Sequence, residues 1–196
     1  DNDYSIALVL IKNSAAIIEG FRPGVMERLK LAPDDLKKIN KKLIYGRMTG
    51  WGQSGLRSKQ AGHDLNYIGL SGALHYASPA GNVPQTPPTL LGDIGGGALY
   101  LVIGILSGLL RVKETGEGSV VDAAIVDGSA HMMNLWMSMQ ETGSVEMKRG
   151  KSLLDGPHWS RCYICSDGKY ISVQCLEPKF YSIFLETLGI NKDPLF

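Results

Sequence analysis

Residues 43–55 read LIYGRMTGWGQSG, and the change of character inside this stretch decides the fold class. Leu43 to Met48 has the make-up of a strand with one buried face, and Thr49-Gly50-Trp51-Gly52-Gln53-Ser54-Gly55 is a glycine-rich turn that ends it. Downstream, Ala61-Gly62-His63-Asp64 leads into an apolar stretch from Leu65 to Leu74 that reads as helix. Upstream, Pro33-Asp34-Asp35 opens another helix: proline suits the first turn, and the two acids favour its positive end. Strand and helix alternate in this way along the chain, so the class is α/β.

Further out, Ala7–Ile11 and Ala15–Ile18 read as the tail of a helix feeding a strand, and Phe21-Arg22-Pro23-Gly24 as a turn before a short helix over Val25–Leu31. Lys37, Lys38, Lys41 and Lys42 form one stripe, a solvated face. Ser78 to Thr89 carries Pro79, Pro84, Pro87 and Pro88 and must be an extended loop. Leu91-Gly92-Asp93-Ile94-Gly95-Gly96-Gly97 then launches an apolar helix stopped by Gly116 and Gly118. Its run from Ala98 to Leu110, broken by Gly104, Ser107 and Gly108, is short of the roughly 20 residues that span a bilayer, and is expected to be a buried helix. Val120–Ala124 is a strand, Asp127–Gln140 a methionine-rich helix, and Tyr170–Cys175 a half-buried strand by its alternation. Glu177-Pro178 begins a last helix ending near Gly189. The sequence turns polar between Glu141 and Ser160, so the expected domains are 1–145 and 146–196.

A chain of 196 residues with 44% hydrophobic and 20% charged side chains has the balance of a globular protein. Twenty basic against nineteen acidic residues leave a net charge of +1, which creates no field to attract nucleic acid or a membrane surface. No signal peptide or Arg-rich transit segment stands at the start, which is Asp1. Cys162 and Cys165 form a C-x-x-C with His158 upstream. Positions three apart on a strand face opposite sides, though, and no second C-x-x-C exists, so buried thiols in a reducing compartment are expected and no metal site.

Three ionisable positions share one setting, a turn that hands over to a helix. His63 with Asp64 follow Ala61-Gly62, Asp93 precedes three glycines, and Glu177 precedes Pro178. Helix amino termini present free N–H groups to an anion. Each residue also has a plain structural reading. Asp is a favoured N-cap, so Asp64 and Asp93 could simply satisfy orphan N–H groups; Glu177 could serve a helix dipole; a single His is most often a hydrogen-bonded structural residue. Gly95-Gly96-Gly97 implies close backbone approach, to a ligand or to a neighbouring helix. Neither a dinucleotide fingerprint, a phosphate loop nor a G-x-S-x-G elbow is present.

Taken together, IEGFRPGVMERL (18–29), LIYGRMTGWGQ (43–53), AGHDLNYI (61–68), LGDIGGG (91–97), VVDAAIVDGS (120–129) and LEPKF (176–180) resemble the racemase branch of the class III CoA-transferase (CaiB/BaiF-type) family. The motifs run in family order from Ala16 to Phe196. The resemblance implies part of a Rossmann-like large domain that binds coenzyme A, followed by the start of a smaller α+β domain, normally in an interlocked homodimer. Members of the family are longer, so it also implies a fragment lacking the amino-terminal nucleotide-binding segment.

The resemblance implies an acid/base role for Asp93 opposite His63, with Glu177 assisting the imidazole, and inversion of the α-carbon of 2-methylacyl-CoA thioesters through an enolate. It further places Arg22, Arg28, Asp64 and Tyr67 against the coenzyme, which is part of the substrate, so no separate cofactor is expected. Two alternatives remain: a CoA-transferase with Asp93 as nucleophile, and a shortened, catalytically silent member. DGPHWSRCYI (155–164) departs from the family pattern, with Arg161 where an acid is usual. Met132, Met133, Met137 and Met139 read as core, although flexible thioethers would also suit varied acyl chains. The compartment implied is the cytoplasm in a bacterium, or the peroxisome or mitochondrion in a eukaryote.

Overall fold

The computed structural model describes residues 2–190, so the final stretch of the expected small domain, 191–196, lies outside the described residues. The chain divides into two compact units, Asp1–Leu74 with Thr86–Asn134, and His75–Gln85 with Leu135–Phe196.

The first unit is built on a parallel sheet in the order β1 (Ala16–Glu19), β2 (Ile44–Thr49), β3 (Ser119–Ala124). Ala16 pairs with Ile44, and Ile44 with Ser119. Parallel neighbours need helical crossovers. Helix α1 (Asn2–Lys12) precedes β1, and α2 (Val25–Arg28) and α3 (Pro33–Ile39) connect β1 to β2. Helix α4 (Asp64–Ser71), a π-helical segment (Leu90–Ala98) and α5 (Leu99–Thr115) lie between β2 and β3, and α6 (Ile125–Met132) follows β3.

The central strand explains the layering, because successive residues of a strand face opposite sides. Tyr45 turns to a core of Ile11, Met26, Leu36 and Leu43. Gly46 turns to α5, so close that an added Cβ would stand 2.9 Å from Leu101 Cδ1. Gly108 of α5 approaches Ile44 in the same way, also at 2.9 Å. Gly116, at φ +72°, ends α5 as a left-handed cap.

Two expectations for this helix are corrected. With the π-helical segment it forms one helical stretch of 26 residues, long and apolar enough by length and composition to cross a membrane. Nor is it buried throughout: Leu101 and Gly108 are, while Val102, Ile103, Leu106 and Leu110 are 50–62% exposed. Leu101, Gly104, Ile105 and Gly108 form the face that meets β2 and β3, so Val102, Ile103, Leu106 and Leu110 are turned away from the sheet.

The glycine triplet serves a neighbouring helix. A Cβ on Gly96 would collide with Ser129 of α6, and one on Gly97 would lie 2.9 Å from Ile125 Cγ1. Gly128 of α6 returns the contact, resting against the Gly96 carbonyl. Gly128→Ala is therefore expected to destabilise the protein by about 3 kcal/mol in urea denaturation, because backbone rather than a flexible side chain opposes the added methyl. Gly69→Ala in α4, whose Cβ would have its nearest neighbour at 3.8 Å, is the control expected to cost nothing.

In the second unit, β4 (Ser160–Ile164) pairs antiparallel with β5 (Tyr170–Gln174), and α8 (Pro178–Leu188) buries Tyr181 and Leu185. Tyr181 Oη and His158 Nε2 are 2.7 Å apart. The proline-rich segment is tied in by Arg149, which donates to the carbonyls of His75 and Asn82, and by Tyr76 stacked 4.0 Å from Trp136. The half-buried expectation for 170–175 is corrected, since only Val173 of β5 is buried. The methionine-rich helix is in fact two, α6 and α7 (Asn134–Glu141), separated at Met133, whose N–H turns back to the Ala130 carbonyl at 3.0 Å. Met132, Met133, Met137 and Met139 are none of them buried, contrary to the core reading: Met133 and Met139 are half-buried, and Met132 and Met137 are exposed.

Candidate active site

Ligands of open α/β sheets bind beyond the carboxyl ends of the strands, and the cavity of interest lies there. It has a volume of about 240 Å³ and is lined by Gly20–Pro23 after β1, Thr49–Trp51 after β2, and Ala61–His63 with Tyr67 at the start of α4. Side-chain acceptors hold the turns after β1 and β2. The Phe21 N–H donates to Glu19 Oε2 at 2.8 Å, the Gly52 N–H to Thr49 Oγ1 at 3.0 Å, and the Gln53 N–H to Asp122 Oδ2 at 3.1 Å.

His63 occupies the N-cap position of α4 in extended backbone geometry, and its N–H donates to Asn66 Oδ1 at 3.0 Å. The imidazole is exposed and borders the cavity. Tyr67, one turn on, donates its hydroxyl to the Gly62 carbonyl and packs edge-on against Trp51, ring centres 4.7 Å apart. Burial raises the Tyr67 phenol above its ordinary value; the Asp93 charge adds to this and Arg22 opposes it.

Asp93 lies in the π-helical segment, and neither it nor Asp64 is the N-cap of its own helix. Instead, the buried Asp64 carboxylate reaches across: Oδ1 accepts from the Gly92 N–H at 2.9 Å and from the Asp93 N–H at 2.8 Å. The group that fixes the Asp93 backbone is therefore carried by the residue directly after His63. The Asp93 carboxyl is held above its usual range, chiefly by burial, then by the Asp64 charge, with His63 pulling the other way. Asp93 is not among the residues lining the cavity. Glu177 belongs to the second unit, exposed at the N-cap of α8 before Pro178.

Beside the cavity runs a groove formed by Arg22, Pro23, Gly24, Val25, Arg28, Gln53 and Lys59. It brings together the Arg22 and Arg28 predicted from sequence and adds Lys59, which sits in no motif. Beneath this turn lies a network missed in the sequence. Arg47, 6% exposed, donates from Nε to Glu19 Oε1 at 2.7 Å and from Nη1 to Glu27 Oε1 at 2.9 Å. Glu19, 4% exposed, is the register partner of Arg47. Burial opposes the Arg47 charge, but its hydrogen bonds to Glu27 and Glu19 outweigh it and raise its pKa.

A parallel sheet carrying a histidine-led helix and a glycine-rich, aspartate-bearing helix start defines the class, and the chain belongs to CoA-transferase family III, whose pattern it matches over residues 1–195. Among its relatives, it is 41% identical over 181 residues to an α-methylacyl-CoA racemase of Mus musculus, and 40% identical over 188 residues to that of Homo sapiens. These alignments cover 91% and 95% of this chain but 47% and 49% of the relatives, so the chain spans about half their length. The crystal structure of a CaiB/BaiF family protein from Brucella suis matches at a TM-score of 0.80 and 26% identity, over 97% of this chain and 50% of that one.

Proposed function

We propose that the protein carrying this chain is a racemase that inverts the α-carbon of 2-methylacyl-CoA thioesters by two-base proton transfer. The observation that carries the reading is the Asp64 bridge, which joins the Asp93 backbone to the residue next to His63. The similarity to two α-methylacyl-CoA racemases supports the substrate class.

A hydrogen next to a thioester carbonyl is weakly acidic, and its removal leaves an enolate. Neutral His63 takes that proton from one face, and protonated Asp93 returns one to the opposite face, so the centre inverts and the carbon regains its fourth bond. For the other enantiomer the roles reverse. Both groups need pKa values near the working pH, and the raised value of Asp93 is the direction such an acid requires. The Asp64 N–H opens α4, where the helix itself supplies no acceptor, and would donate to the enolate oxygen. Arg22 and Arg28 would take the coenzyme's phosphates, for which the guanidinium fork is suited. Glu177 would orient the imidazole in a homodimer of interlocked chains.

Incubation with a 2-methylacyl-CoA in heavy water, with and without an acceptor acid, tests the reading. Deuterium is expected at the α-carbon with no acceptor present. Coenzyme transfer that needs the acceptor, without deuteration, would mean a transferase with Asp93 as nucleophile.

A further inference from the structure

We propose that Asp64 is the positioning residue for Asp93: its buried carboxylate pins the Gly92 and Asp93 N–H groups and sets a fixed negative charge beside the Asp93 side chain. The inference rests on the racemase reading for its catalytic meaning, though its physical content does not.

The geometry is unusual in two ways. The first N–H groups of a helix lack intrahelical acceptors, and a local N-cap side chain normally meets them. Here Thr89 holds that position in left-handed geometry, φ +61°, and makes no side-chain cap bond. The acceptor comes from Asp64, 29 residues before Asp93. Gly92 permits it, because a Cβ there would stand 2.5 Å from Asp64 Oδ1. The π-helical path follows at once, with the Ile94 N–H reaching back five residues to the Thr89 carbonyl at 3.0 Å. Such segments recur at functional sites.

Only half of the carboxylate is spent on this. Asp64 is 6% exposed, and its Oδ2 is buried with no hydrogen-bond partner among the described residues. A structural cap would be served as well by an amide, whereas a buried, half-satisfied carboxylate is costly unless its charge has a use. The charged groups acting on the Asp93 carboxyl are Asp64, which raises its pKa, and His63, which lowers it. Helix α6, packed on the same segment, contributes Ile125, Ser129 and Met132 to the contact. Its own ionisable residues are engaged elsewhere: Asp127 is exposed, and His131 lies 2.6 Å from the Tyr100 hydroxyl. Tyr67 of α4 is an uncharged phenol there.

Asp64→Asn separates the two roles, since the amide oxygen still accepts both N–H groups while the charge is gone. The Asp93 carboxyl is followed by carbon-13 NMR titration, assigned with Asp93→Asn, alongside the pH profile of α-deuteration. In Asp64→Asn the Asp93 midpoint is expected to move to lower pH, and the acid limb of deuteration to follow it. Asp64→Ala, which loses the acceptor as well, is expected to lower kcat about 10²-fold, the scale of a misplaced catalytic group. An Asp93 midpoint that stays in place in Asp64→Asn overturns the proposal. If neither protein deuterates substrate while the midpoint still moves, the racemase reading fails and the positioning stands.

Discussion

His63→Gln and Asp93→Asn are each expected to lower racemisation of a 2-methylacyl-CoA by about 10²–10⁴-fold, the contribution of a positioned acid or base. Both substitutions keep size and hydrogen-bonding capacity while removing the titratable proton, so a loss reflects chemistry rather than packing. His63 is exposed at the N-cap of α4, and the Asp93 backbone is anchored by Asp64 rather than by its own carboxyl, so neither change should unfold the chain. Thermal denaturation checks that, and kcat measured from each enantiomer checks the prediction. Full racemisation in either variant would remove that residue from the chemistry. A loss confined to KM would make it a binding group.

The second large effect is on stability. Arg47→Met should cost about 3–5 kcal/mol in urea denaturation, because it strands the Glu19 carboxylate in a place where water does not reach. Adding Glu19→Gln should recover part of that loss by removing the orphaned charge, although the amide must still meet the Phe21 N–H now held at 2.8 Å. The same network gives a pH signature. The Arg47 hydrogen bond holds Glu27 below its ordinary value of 4.5. A lowered carboxylate contributes stability that is present above its unfolded pKa and lost as pH falls through its folded one. Acid should therefore weaken the native protein below pH 4.5, and Arg47→Met should flatten that limb. An unchanged acid limb would show that the exposed Glu27 pair contributes nothing in solution.

Much of the first unit could be read directly. β2 announced itself by its composition and by the glycine turn after it, the crossover helices by their proline and glycine punctuation. What could not be read was which side of an apolar helix meets the sheet. The stripe through Leu101, Gly104 and Gly108 is set by the close approach of β2 and β3, so a count of apolar residues overstated the burial of α5. The break at Met133 has no proline or glycine to mark it, because a tightened final turn is enough.

The site divides along the same line. His63, Asp93, Arg22 and Arg28 stand in motifs and could be named; their surroundings could not. Asp64 bonds to a backbone 28 and 29 residues away, and Glu19 to Arg47 across 28, distances over which no periodicity carries information. Lys59 joins Arg22 and Arg28 only because the loop after β2 folds back beside the first turn. The glycine triplet could be read either way, and Ser129 and Ile125 of α6 resolve it towards helix packing.

The most direct test is to follow one pure 2-methylacyl-CoA enantiomer in heavy water through the first turnovers, separating remaining substrate from product. With an imidazole on one face and a carboxyl on the other, the inverted product should carry deuterium at the α-carbon from the outset while recovered substrate keeps its hydrogen. Inverted product that retains the original hydrogen would mean that a single group carries the proton between faces, and would contradict the pairing of His63 with Asp93.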